Sequence, residues 1–182
     1  MAVSDINLTD AIQRAKQLDP YALEQVYDAY ALQLSRYIHF RLSESALAQD
    51  LHAQVFQCFL ELSPRRRNMI ENFPTWLFDT ARKLVDQQLA ERNRARGISG
   101  EELSETLNPP DRARQEIAWL NQLVFQALAG LISDHQHLLA LRFGVPLPLE
   151  EVSRLMREPV SQVKSLQVDA LLTLRQRLET ER

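Results

Sequence analysis

Asp19-Pro20-Tyr21-Ala22-Leu23-Glu24-Gln25-Val26-Tyr27-Asp28-Ala29-Tyr30 decides the fold class of this chain. Asp19 can accept a hydrogen bond from an amide of a helix's first turn. Pro20 can open that turn, because its φ is already helical and its missing N–H has no helical partner there. From this start Leu23, Val26, Tyr27, Tyr30, Leu34, Tyr37 and Ile38 recur at the spacing of a helix with one apolar face.

Working outward, the same period predicts a second helix from about Ser45 through Leu62, with Leu47, Leu51, Val55, Phe56, Phe59 and Leu60 on one side. Ser63-Pro64 stops it, and a short basic segment, Arg65-Arg66-Arg67-Asn68, follows. A third helix begins around Phe73-Pro74 and carries Trp76, Leu77, Ala81, Leu84, Val85 and Leu89. No glycine falls between residues 1 and 96, and no Asn-Gly or Asp-Gly turn separates alternating strands. The expectation is an all-α protein.

Periodicity lapses from Arg92 to about Arg114, where Gly97, Gly100 and the pair Pro109-Pro110 mark a flexible linker. It resumes with Ile117, Leu120, Leu123, Val124, Ala127 and Leu128, then Leu138-Leu139-Ala140-Leu141-Arg142-Phe143. Beyond Pro148 a short helix, Leu149 to Met156, and a longer one, from about Ser161 to Leu178, are separated by a tight turn containing Pro159. That spacing is a helix-turn-helix. The organisation expected is a helical domain over 1–95, a linker over 96–115 and a helix-turn-helix domain over 116–182.

Composition excludes several classes. With 45% hydrophobic and 25% charged residues the chain is an ordinary folded protein. No apolar run approaches the roughly 20 residues that span a bilayer, and Met1-Ala2-Val3-Ser4-Asp5 opens no secretion signal, so a cytoplasmic location without membrane insertion is expected. The single cysteine, Cys58, sits in an apolar string and reads as a packing residue. His39, His52, His135 and His137 make no zinc pattern, so neither metal nor cofactor is expected. Walker, GxGxxG, HExxH and GxSxG motifs are absent, and Glu150-Glu151 suits the start of a helix better than a catalytic pair, which argues against an enzyme. The net charge of -3 speaks against a surface that grips DNA throughout, though not against a factor carried to DNA by a larger partner.

The stretch from Asp19 to Tyr30, then Ala48-Gln49-Asp50-Leu51 with Val55-Phe56, then Phe73, Trp76-Leu77 and Ala81-Arg82, resembles region 2 of the extracytoplasmic-function (ECF) sigma factors of the sigma-70 family. Leu149-Glu150-Glu151-Val152 with Leu155-Met156, and Val163-Lys164-Ser165-Leu166-Gln167 with Ala170-Leu171, resemble their region 4. The resemblance implies an RNA polymerase sigma factor that directs promoter recognition and transcription initiation. Its partners would be the polymerase core enzyme, promoter DNA and an anti-sigma factor.

By that resemblance Gln49, Asp50, Gln54 and Gln57 would bind the polymerase. Arg65, Arg66, Arg67 and Asn68, with Arg82 and Lys83, would hold the opened proximal promoter element, where cationic contacts to single-stranded DNA are suitable chemistry. Trp76, flanked by Phe73 and Leu77 at helical spacing, reads as core before stacking platform. Ser161, Gln162, Lys164, Ser165 and Gln167 would read the distal element in the major groove. Several departures weaken the match: Gln49, Ala53 and Gln54 where acids are common, Arg157 where a glycine is common, and Val168-Asp169 where a His-Arg pair is common. They leave an alternative open, a sigma-like decoy that has lost DNA binding and titrates an anti-sigma regulator.

Overall fold

Asp19 caps as expected: its Oδ1 accepts from the Ala22 amide at 2.8 Å and α2 runs Pro20–Arg41. In this computed structural model residues 2–42, 44–99 and 112–180 are described. Next come α3 (Ser45–Glu61), α4 (Pro64–Asn68, with Ser63 as N-cap) and α5 (Phe73–Ser99), whose first turn is capped by Asn72 Oδ1 at 3.0 Å from the Thr75 amide. Reading from Asp19 onward misses α1 (Ala2–Ala15). Its packing face is built on Ala11 and Ala15, small residues that give a weak periodic signal yet are 1% exposed against α2.

The second half contains α6 (Arg112–Ala129), α7 (Ser133–Leu139), α8 (Leu149–Met156) and α9 (Val160–Thr180). The fold is all-α, with no strand among the described residues. Of the linker expected over 96–115, residues 100–111 lie outside the described residues, while α5 continues through Ser99 and α6 begins at Arg112.

Between α7 and α8 the chain makes one wide, π-helical turn, Ala140–Gly144, in which the Val145 amide reaches back five residues to the Ala140 carbonyl at 2.9 Å. The extra residue explains how Leu138, Leu139, Ala140 and Leu141 can all be buried in succession. Leu138, Ala140 and Leu141 face one apolar cluster and Leu139 a second, with Leu128, Leu131 and Ala170.

The first cluster is shared by the two halves of the chain. Leu34, Tyr37, Ile38, Val55, Phe59, Leu77, Phe78 and Val85 join Leu138, Leu141, Val145, Val152, Leu155 and Val163 in one continuous core. Each of these large side chains contributes about 1.5–3 kcal/mol on burial. Gly144 marks a close approach between the halves: a Cβ there would sit 2.8 Å from the Phe40 Cβ and 3.3 Å from the Arg36 carbonyl, both on α2. Periodicity finds both helical groups; it carries no signal for this seam between them.

Candidate nucleic-acid interface

The helix-turn-helix is α8 and α9. Val152 and Leu155 of α8 and Val163 and Ala170 of α9 are buried, which fixes the pair against α7 and the first half. Arg157 closes α8 in the left-handed conformation (φ 57°, ψ 33°), the backbone state that favours glycine. The turn is held by the Arg157 amide on the Ser153 carbonyl and by Ser153 Oγ donating to the Glu158 carbonyl at 2.5 Å. Glu150 and Glu151 stand in the first turn of α8, where their charge suits the helix dipole.

With Val163 and Ala170 turned inward, Ser161, Gln162, Lys164 and Ser165 are exposed at the start of α9, the disposition that a major-groove helix requires. Gln167 is half-buried, and its Oε1 accepts from Arg142 Nε at 3.1 Å, so it braces α9 against the wide turn. Asp169 is exposed one turn beyond Ser165, on the face that Ser165 and Gln162 share.

The basic segment divides by depth. Arg65, Arg66 and Asn68 are exposed, and Asn68 Oδ1 accepts from Gln17 Nε2 at 3.1 Å. Arg67 is 5% exposed, and its guanidinium donates to the carbonyls of Lys16 (2.9 Å), Leu60 (3.1 Å) and Leu62 (2.5 Å). Lys16 in turn donates to the Ile70 carbonyl at 2.7 Å. Arg67 therefore ties the ends of α1, α3 and α4 together and is not offered to a ligand. Trp76 is half-buried and packs edge-on to Phe59 at 5.5 Å and tilted against Phe73 at 5.9 Å, a core position.

On α3 the residues Gln49, Asp50, Gln54 and Gln57 are all exposed, opposite the buried Ala48, Leu51, Val55 and Phe59. Gln57 Nε2 donates to Glu61 Oε1 at 2.7 Å, which carries an acid onto the same face one turn later. Gln49 also borders an open groove of about 290 Å³ between α2 and α3, lined by Tyr27, Leu32, His39 and His52. Cys58 is half-buried; burial first, then Glu61, pushes its thiol up, away from the thiolate form.

Lys83 is exposed on α5, but its neighbour Arg82 turns into the seam between the halves. Arg82 pairs with Asp134 at 2.5 Å, donates to Ser133 Oγ at 3.0 Å and lies 3.7 Å from Asp86. Asp86 also accepts from Ser133 at 2.7 Å and from Arg41 at 2.7 Å, and Arg41 donates to Gln136 at 2.6 Å. Below these, Tyr37 Oη and His137 Nδ1 meet at 2.6 Å. Burial, with Arg82 and Arg41 adding, pushes His137 down to about 3, and burial pushes Tyr37 up to about 12. Both groups are therefore neutral, and one proton is shared in the hydrogen bond between the hydroxyl and the ring nitrogen. Sequence reasoning missed Arg41, Asp86, Ser133, Gln136 and His137, because polar residues on helix faces look solvated until the partner helix is known.

Among the described residues every element is helical, and the last two, α8 and α9, form a helix-turn-helix. Residues 127–176 match the family model described as Sigma-70, region 4. Over 171 residues the chain is 28% identical to the ECF RNA polymerase sigma factor BldN of Streptomyces coelicolor, covering 92% of this chain and 64% of that relative's length. The solved structure of CnrH in complex with the cytosolic domain of CnrY matches with a TM-score of 0.53 at 16% identity, over 94% of this chain and 97% of that one, a likeness of fold. The RsbN-BldN complex aligns over 91% of this chain and 97% of that one at 25% identity, with a TM-score of 0.36. The chain is thus similar to sigma-70 region 4 over residues 127–176 and to an ECF sigma factor over most of its own length, spanning 64% of that relative. Among the described residues no helix is long and apolar enough to cross a membrane, and no cluster of three or more His, Cys, Asp or Glu could hold a metal ion.

Proposed function

We propose that the chain is a promoter-specificity subunit of RNA polymerase, acting by binding in the cytoplasm and performing no bond chemistry of its own. The observation that carries this reading is α9: its first turns offer Ser161, Gln162, Lys164 and Ser165 to solvent from a firmly seated helix-turn-helix, within residues that match sigma-70 region 4. Gln162 is suited to an adenine edge and Lys164 to guanine or phosphate. The polar face of α3, Gln49, Asp50, Gln54 and Gln57, is the docking surface for the polymerase. Arg65, Arg66, Asn68 and Lys83 are the cationic and amide groups exposed near α4 and α5 for the separated strand.

Two relatives whose structures are described as complexes, RsbN-BldN and CnrH with CnrY, support an anti-sigma partner for this chain as well. The net charge of -3 supports the dependence on polymerase, since DNA affinity rests largely on cation–phosphate contacts. In vitro transcription with core enzyme on a template library, read by sequencing start sites, tests the proposal. Start sites that require this chain are expected, and absence of both transcripts and polymerase binding would refute it.

A further inference from the structure

The outward face of α9 carries more than hydrogen-bonding groups. Val163 and Ala170 are buried, and successive side chains on a helix turn by about 100°, so the direction opposite them falls to Ser161, Ser165, Val168 and Leu172. Val168 is 56% exposed and belongs to neither apolar cluster. It stands three residues beyond Ser165 and seven beyond Ser161, spacings that set side chains on one face of a helix. An apolar, β-branched residue thus stands in line with the hydroxyls that the reading above turns toward DNA.

The seating of α9 fixes where Val168 points. Val163 is fully buried, about 140° away round the helix, so a roll that hid Val168 would expose Val163. Arg142 Nε donates to Gln167 Oε1 at 3.1 Å on one flank, and the Arg157 amide on the Ser153 carbonyl sets the turn ahead of the helix. Two branches on Cβ leave a valine in a helix one strongly preferred rotamer, so its methyl groups are presented in one place. Val168 is the ninth residue of α9, within about its first two and a half turns. Leu172 lies a further turn along, beyond the N-terminal part that meets bases in helices of this kind.

The chemistry of the major groove leaves such a residue one partner. Base edges there offer hydrogen-bond donors and acceptors and a single apolar group, the 5-methyl of thymine. Ser161, Gln162, Lys164 and Ser165 can pair with the polar edges, whereas a valine can only pack against the methyl. Set against cytosine it would lose that contact and cover the N4 amino group without pairing it. We propose that Val168 is a specificity residue: it selects thymine, through the 5-methyl group, in the distal element read by the start of α9. This inference rests on the sigma-factor reading.

The test uses the full chain with core polymerase on a promoter drawn from the template library. Thymines in the protected distal element are replaced one at a time by deoxyuridine, which lacks only the methyl group. For the parent chain, one replacement is expected to weaken promoter binding about fourfold, the worth of one buried carbon. Val168→Ala is expected to bind the thymine promoter about fourfold less tightly and to be indifferent to that same replacement. Leu172→Ala should respond as the parent does. A parent indifferent to every replacement, a distal element without thymine, or a Val168→Ala chain that keeps the parent's response each overturns the proposal, while promoter-dependent transcription leaves the sigma-factor reading intact. Loss of the response in Leu172→Ala assigns the methyl to that residue and also overturns it. A chain that binds neither polymerase nor promoter brings down that reading, and this proposal with it. The deoxyuridine series on the parent chain decides the methyl dependence even where a substituted chain fails to fold.

Discussion

The basic segment α4 and the opening turns of α9 are both rich in residues that could meet DNA, yet they relate to the core in opposite ways. In α4 the middle arginine is drawn inward: Arg67 serves three backbone carbonyls while Arg65 and Arg66 remain in solvent. In α9 the apolar Val163 does the anchoring, and Ser161, Gln162, Lys164 and Ser165 are all left outside. Cations adjacent in sequence are therefore not equivalent. Where no apolar residue is available to seat a short helix, an arginine takes that role and leaves the set of possible ligands for DNA.

The sharpest way to break this contrast is to treat the α4 arginines alike. Arg67→Ala removes a buried charged donor from three carbonyls and is expected to cost about 3 kcal/mol, whereas Arg66→Ala should stay within about 0.5 kcal/mol. Urea denaturation followed by circular dichroism separates the two, and equal stabilities would remove the structural role assigned to Arg67.

Next in size is an acid effect at the seam. His137 is pushed down to about 3 in the folded chain, while in the unfolded chain it titrates near its ordinary 6.5, so the unfolded state takes up the proton first. Its contribution is complete above about pH 6.5 and declines toward pH 3 by about 1.4 kcal/mol per unit. Stability measured from pH 7 to 4 should fall more steeply for the parent than for a His137→Gln variant. Parallel curves would remove His137 from the account.

For α9, Lys164→Ala in the polymerase-bound chain should weaken promoter binding evenly across sequences and lower the salt slope by about 1, as loss of one phosphate contact does. Asp169→Asn should act oppositely and strengthen binding, since the carboxylate shares the face of Ser165. Filter binding over a salt series reads both. A change of sequence preference with Lys164→Ala would assign that residue to a base edge. The smallest effect is at the turn: Arg157→Gly relieves a left-handed side-chain position and gives up an exposed ion pair with Asp79, for a net gain of about 0.5 kcal/mol.

Helix identity was legible because Asp19-Pro20 and Ser63-Pro64 are local signals, and the apolar stripes of α2, α3 and α5 are long enough to show their period. The break between α8 and α9 was legible at Pro159, with α9 running Val160–Thr180 where about Ser161 to Leu178 was expected. The first helix was not legible, since alanines that pack closely leave little hydrophobic contrast. At the candidate site, exposure of Gln49, Asp50, Gln54 and Gln57 follows from the stripe opposite them. The fates of Arg67, Arg82 and Gln167 do not, because each also depends on a contact with a residue 25 to 52 positions away. The run of four apolar residues, Leu138 to Leu141, is a signal that could have shown this segment to meet apolar surface on more than one side.

The π-helical turn at Ala140–Gly144 sets the angular phase of everything after it. An α-helix advances about 100° per residue, so deleting a single residue there would rotate α8 and α9 by about that amount around the α7 axis. Ala170 would then swing out of its cluster with Leu139, and the side chains now aimed outward from α9 would point elsewhere, although every helix-forming signal in the sequence would survive. Insertions and deletions in this five-residue window should therefore be more damaging than substitutions within it, and lineages of this chain should preserve its length more strictly than its letters.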